Sequence, residues 1–165
     1  MIPSLGNFTL WLSLCFAVLQ FVVSYKKNVT SLLRFNKIAV KGLLLCTLIS
    51  FVCLIYSHIV SDFSVLNVFQ NSHTTKPLLY KISGVWGNHE GSMLLWMLVL
   101  AIFNYFIYNL YNQKNSIFIS KALETQAFIT IGFLLFTLLT SNPFEKIFPT
   151  QPNGLGFNPL LQDPA

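Results

Sequence analysis

Residues 60–96 read VSDFSVLNVFQNSHTTKPLLYKISGVWGNHEGSMLLW and form a long polar and aromatic interval between strongly apolar runs. All three histidines lie within this interval or just before it, at His58, His73 and His89. The interval also holds Glu90 and two of the three tryptophans, Trp86 and Trp96. We expect the apolar runs on either side to hold this interval at one face of a membrane.

The composition is that of a membrane protein. Of the 165 residues, 54% are hydrophobic and only 9% are charged, and the mean hydropathy is +0.63. Soluble domains carry about 25% charged residues, so this chain lacks the charge needed to cover a water-facing surface. The net charge of +5 comes from basic residues in short loops, which orientation in a membrane explains better than nucleic-acid binding.

Four apolar runs are each long enough for a transmembrane helix, which needs about 20 residues. Together they predict an all-α integral membrane protein that forms one unit over residues 1–165. An amphipathic outer segment at 61–91 joins the second and third spans, and a proline-rich outer tail occupies 141–165. The four predicted spans are about 5–25, 39–60, 92–111 and 123–140.

The basic residues predict how the chain is oriented. Three of them, Lys76, Lys81 and Lys146, lie in the second loop and the tail. The other seven lie in or beside the first and third loops: Lys26, Lys27, Arg34, Lys37, Lys41, Lys114 and Lys121. Loops rich in lysine and arginine stay inside. Both termini and the 61–91 segment are therefore expected on the outer side, in the intermembrane space or periplasm.

The start of the third span carries the candidate functional residues. At helical spacing His89, Met93 and Trp96 share one face. The ionisable pair His89–Glu90 lies at a membrane boundary, where such groups are functional candidates, and Trp86 and Trp96 suit packing on a planar cofactor such as haem. The alternative is that the tryptophans are interfacial anchors and that His89 and Glu90 are hydrated or capping groups.

Small residues in the same stretch predict close packing. Gly84, Gly87 and Gly91 lie about one helical turn apart and would let another membrane helix approach. The remaining ligand-type residues carry less weight. His58 is expected to be an interfacial residue and His73 a solvated one. Cys46 and Cys53 are expected to be buried hydrophobes, and no arrangement of residues predicts a catalytic nucleophile or a metal site.

Four pieces, in order, resemble the N-terminal part of the CcmF family, the membrane haem lyase component of cytochrome c maturation System I. They are MIPSLGNFTLWLSLCFAVLQ, VSDFSVLNVFQNS with KPLLYKISGVWGNHEGSMLLW, GFLLFTLLTSNPFEKIFP, and GLGFNPLLQDPA. Ser4 and Asn7 depart from the family, which often has an acid and a histidine at these positions. The tail motif matches the family at Asn158, Pro159, Gln162, Asp163 and Pro164.

The resemblance implies a role in delivering haem from a haem chaperone to apocytochrome c. It implies that haem is bound by the complete assembly, through ligands outside this chain, and that this chain supplies scaffold and outer surface. The chain is not expected to catalyse bond formation by itself.

A complete family member has many more spans, and the residue usage suits an AT-rich mitochondrial genome. We therefore expect one piece of a split protein of the mitochondrial inner membrane, with other haem lyase pieces as partners. A bacterial plasma membrane is the alternative location.

Two other functions are compatible with the composition. A structural membrane subunit of a respiratory complex explains the size but not WGNHEG or NPLLQDP. A transporter half, with a substrate site at the Gly84–Gly91 break, is disfavoured because the chain has no inverted repeat.

Overall fold

The computed structural model describes residues 1–25, 30–114 and 117–156. In these ranges the regular secondary structure consists of helices, and the described residues also contain an isolated β-bridge between Val65 and Lys146. The family-motif positions of the tail, from Asn158 to Pro164, lie outside the described residues. The helices are α1 (Ile2–Tyr25), α2 (Thr30–Ile59), α3 (Leu66–Asn71), α4 (Leu78–Ser83), α5 (His89–Lys114) and α6 (Ile117–Thr140).

The prediction of four membrane-spanning helices is confirmed. Stretches of α1, α2, α5 and α6 are long and apolar enough to cross a bilayer: Ile2–Tyr25, Phe35–Ile59, His89–Asn109 and Ser120–Thr140. α2 begins at Thr30 rather than near residue 39, because no proline or glycine interrupts the residues before the apolar run and the helix continues through them. Which end of the bundle faces outside stays a prediction.

The four long helices form a closed ring. α1 packs against α2 and α6, and α5 also packs against α2 and α6. Each long helix contributes a side chain with no exposed surface to the shared interior. Those side chains include Leu10 of α1, Leu43 and Leu54 of α2, Leu94 and Met97 of α5, and Leu134 of α6.

Two glycines let α1 and α2 approach closely. A Cβ atom at Gly42 would lie 2.6 Å from the ring of Phe16, and one at Gly6 would overlap the ring of Phe144 and lie 3.0 Å from Cys53 Cβ. The hydroxyl of Ser50 also donates a hydrogen bond to the Gly6 carbonyl at 3.1 Å. Small residues therefore set this crossing, as they do in many membrane interfaces.

A buried amide pair ties three helices together. Gln20 Nε2 of α1 donates to Asn104 Oδ1 of α5 at 2.8 Å, and Asn104 Nδ2 donates back to Gln20 Oε1 at 2.6 Å. Gln20 Nε2 also donates to the carbonyl of Leu123 on α6 at 3.2 Å. Both side chains have 0% exposure, so lipid cannot supply a replacement partner for either amide.

The segment after α6 folds back onto the segment between α2 and α5. The Leu66 N–H donates to the Glu145 carbonyl at 2.8 Å, and the Ile147 N–H donates to the Ser64 carbonyl at 3.0 Å. Farther along, the Leu155 N–H donates to the Phe69 carbonyl at 2.8 Å. The two polar segments, 61–88 and 141–156, thus form one layer at one end of the bundle. We call it the end layer.

The amide pair yields a stability prediction. Gln20→Leu leaves the buried Asn104 amide unsatisfied, so we expect a loss of about 1–3 kcal/mol in the free energy of unfolding. The double variant Gln20→Leu/Asn104→Leu removes both polar groups and should recover part of that loss. Unfolding in detergent, followed by circular dichroism, measures the effect. Gln70→Leu, at an exposed position of α3, is the matched control, and equal stability of Gln20→Leu and this control would contradict the interpretation.

Candidate functional site

The turn between α4 and α5 is closed by Asn88. Its Oδ1 accepts a hydrogen bond from the Gly91 N–H at 2.7 Å, which satisfies a free donor in the first turn of α5. Its Nδ2 lies within donating distance of the carbonyls of Gly84, at 3.1 Å, and Val85, at 3.2 Å. Asn88 is therefore the N-cap of α5, which is why α5 begins at His89. The same side chain also stabilises the turn through its hydrogen bonds to the two carbonyls.

A second asparagine joins this turn to α3. Asn67 Nδ2 donates to Asn88 Oδ1 at 2.7 Å and to Glu90 Oε2 at 3.1 Å, and Asn88 Nδ2 lies 3.3 Å from Asn67 Oδ1. Asn67 is only 3% exposed. Glu90 lies in the first turn of α5, where an acidic side chain interacts favourably with the helix dipole. The three side chains hold α3 and the start of α5 in a fixed relation.

The side chains of the predicted His89–Glu90 pair point to different neighbours. Consecutive helical residues point about 100° apart, because an α-helix has about 3.6 residues per turn. Accordingly, Glu90 reaches α3, whereas the exposed ring of His89 stands edge-on to Phe136 of α6 with 6.2 Å between ring centroids. Met93 of the predicted His89 face lines a groove between α5 and α6.

The two candidate tryptophans are both exposed, but they lie in different surroundings. Trp86 is 44% exposed and lines an open groove of about 470 Å³ with four residues of α4. Trp96 is 61% exposed on α5 and does not line that groove. The groove is walled mainly by apolar and aromatic side chains: Leu79, Tyr80, Ile82, Ser83 and Trp86.

The glycines of the turn are in contact with the turn itself. A Cβ atom at Gly91 would overlap the carbonyl oxygen of Val85. One at Gly84 would lie 2.8 Å from the Tyr80 carbonyl oxygen and 2.9 Å from Lys76 Nζ. At Gly87 the nearest atom is an ordinary 3.6 Å away. Packing of another helix against Gly84, Gly87 and Gly91 stays a prediction.

Two polar residues in or beside the end layer differ from the sequence-based expectation or were not anticipated. His58 has 0% exposure and its Nδ1 lies 3.1 Å from the Leu54 carbonyl, so it is a buried residue rather than an interfacial one. Lys76 is 7% exposed and donates to the Asn71 carbonyl at 3.0 Å. Burial lowers the pKa of Lys76, and the nearby Lys81 ammonium lowers that pKa further.

His73 is near the surface, as expected. Its Nδ1 lies 2.8 Å from Thr75 Oγ1. The two asparagines that organise the site were missed from the sequence. One signal was available, since an asparagine directly before an apolar helix is a common N-cap.

The capping geometry yields a second prediction. Asn88→Ala removes the acceptor for the Gly91 N–H and the hydrogen bonds from the side chain to the turn. We therefore expect the free energy of unfolding to fall by about 1–2 kcal/mol. Asn88→Ser retains a capping oxygen and should lose less. Hydrogen exchange at the Gly91 amide in micelles reports the cap directly. Ser92→Ala, in the same first turns of α5, is the control; an unchanged Gly91 exchange rate in Asn88→Ala would show that Asn88 is not the cap.

Comparison with known proteins now adds to this geometry. Residues 86–165 match the protein family described as Cytochrome C assembly protein. The cytochrome c-type biogenesis protein CycK of Rhizobium meliloti is 42% identical over 169 aligned residues, which cover 99% of this chain and 25% of CycK. CcmF of Escherichia coli is 33% identical over 170 residues, which cover 100% of this chain and 26% of that protein.

A solved structure is also similar. The chain described as Cytochrome c Heme Lyase CcmF superposes with a TM-score of 0.77 and 27% sequence identity, over 88% of this chain and 25% of that chain. This chain thus spans about a quarter of the length of the relatives it matches. The agreement in sequence and in fold shows that the chain belongs to the CcmF/CycK family of cytochrome c-type biogenesis proteins, as an N-terminal piece of that family.

Proposed function

We propose that this chain is a membrane component of the cytochrome c haem lyase, and that it helps deliver haem to apocytochrome c. The observation that carries the proposal is the match along almost the whole chain to CycK, together with the similarity of fold to a CcmF haem lyase. In this proposal haem is the cargo of the assembly, and its axial ligands come from the remainder of the family protein.

The contribution of this chain is scaffold and surface. The ring of four long helices carries the end layer, and Asn67 and Asn88 fix the turn that presents Trp86. The groove beside Trp86 offers an apolar and aromatic wall, on which the edge of a planar molecule can pack. A rigid surface of this kind lowers the ordering cost of binding, because its side chains are already in place.

The proposed setting follows from the same family. The haem chaperone, apocytochrome c and the remaining parts of the haem lyase are the proposed partners. The chain is a multi-pass membrane protein, and we place it in the mitochondrial inner membrane on the residue usage. A bacterial plasma membrane is the alternative, and the relatives described above are bacterial. The excess of basic residues in the first and third loops supports an outward-facing end layer.

Depletion of the chain tests the function. In cells that lack it, c-type cytochromes should lose covalently attached haem, which is seen as loss of haem-stained bands after denaturing electrophoresis. The b-type haem spectrum should stay unchanged, because that haem needs no thioether attachment. Restoring the intact chain should restore the stained bands. Normal c-type cytochromes in the depleted cells would reject the proposal.

Trp86 gives a sharper prediction. Truncating an exposed aromatic anchor costs about 2 kcal/mol of binding, or about 30-fold in affinity. Trp86→Ala should therefore lower the yield of mature cytochrome c when haem supply is limiting, with the amount of this chain unchanged on immunoblots.

Trp11→Ala is the matched control, because Trp11 on α1 is also 44% exposed and lies far along the chain from the turn. Equal yields from the two variants would show that Trp86 is not part of a haem-delivery surface.

A further inference from the structure

An apolar groove runs along the bundle between α5 and α6. It has a volume of about 710 Å³ and is lined by Met93 and by α6 residues between 128 and 136. Phe133 and Phe136 in its wall are 44% and 46% exposed. The ring of His89 touches Phe136, so the polar start of α5 marks one end of the groove. The rest of the groove lies within the membrane-spanning parts of the two helices.

Gly132 lines this groove and differs from Gly6 and Gly42 at the α1–α2 crossing. Phe144 fills the space over Gly6, and Phe16 fills the space over Gly42. A Cβ atom at Gly132, by contrast, would meet nothing within 4 Å. Glycine inside a helix costs about 1 kcal/mol relative to alanine. At Gly6 and Gly42 an aromatic ring packed on the helix backbone offsets that cost, whereas at Gly132 no described residue does so.

The position of the groove limits what can fill it. An occupant polypeptide within the bilayer must satisfy its own backbone hydrogen bonds, and a helix does so without help. The apolar lining calls for apolar side chains, and glycine at a membrane interface allows a neighbouring helix to approach closely. Relatives of this chain are about four times as long, so the family protein has further polypeptide to supply such a helix.

We propose that the α5–α6 groove is the docking surface for a membrane-spanning helix from the remainder of the family protein, in the same polypeptide or in another, with a bulky side chain seated over Gly132. The proposal concerns assembly. It rests on the family membership of the chain and not on the proposed handling of haem. It also assigns a packing role to Gly132 of α6, which is separate from the predicted packing at Gly84, Gly87 and Gly91.

Site-specific photocrosslinking in intact native membranes tests the proposal. The photoreactive residue p-benzoylphenylalanine replaces Phe133 in the groove or, as a control, Leu45 of α2, which is 57% exposed and does not line the groove. Sequencing of the adduct from Phe133 should give a peptide that matches the family beyond the region covered by this chain. Adducts with lipid alone, with a second copy of this chain, or with the same peptide from both positions would overturn the proposal.

Gly132→Trp provides an independent measurement. The indole fills the groove, so recovery of the crosslinked family peptide with the tagged chain should fall at least about tenfold. Gly132→Ala adds one methyl group in open space and should leave recovery of the crosslinked family peptide unchanged. Gly132→Ala should unfold at or slightly above the temperature of the natural chain, because its Cβ atom meets no neighbour within 4 Å and alanine favours a helix over glycine. The unfolding temperature of Gly132→Trp is measured beside it, so that a loss of recovery caused by misfolding is recognised.

Undiminished recovery with Gly132→Trp would overturn the proposal. If this variant fails to fold, the Phe133 crosslink still decides. Neither readout uses a cytochrome assay, so failure of the docking proposal is distinct from failure of the haem lyase proposal.

Discussion

Lipid sets the constraint on which this structure depends, because a polar group inside a bilayer must find its partner within the protein. The backbone meets this demand by forming helices. Gln20 and Asn104 meet it by pairing with each other and with a carbonyl of α6, so their hydrogen bonds also select which helices become neighbours. The contacts of Gly6 and Gly42 then bring α1 and α2 close together. Polar pairing and small residues, rather than burial from water, thus organise the ring.

In the end layer the chain is held by hydrogen bonds of side chains and backbone instead of by the packing of long helices. Asn88 braces its own turn and caps α5, while Asn67 binds the turn to α3. Backbone hydrogen bonds then join the segment after α6 to α3. The result is a surface on which exposed residues such as Trp86 lie beside residues that are fixed by hydrogen bonds. Such a surface suits repeated contact with a partner or cargo.

The geometry also divides roles within WGNHEG, residues 86–91. Asn88 and Glu90 bond inward to the end layer, whereas Trp86 and His89 remain exposed. Gly91 is needed because the Val85 carbonyl occupies the space of a side chain. The motif therefore combines a well-bonded inner face with an exposed outer face, which is the arrangement that the proposed surface role requires.

Composition, the length of the apolar runs and local motifs were enough to predict the membrane setting, the four spanning helices and the family. The sequence also indicated that Trp86 and His89 belong to a surface. The folded chain was needed to show that Glu90 contacts Asn67 while His89 contacts α6, that His58 is buried, and that Gly132 faces an open groove. These features depend on which helices become neighbours, and pairings between residues as distant as Gln20 and Asn104 leave no periodic signal in the chain.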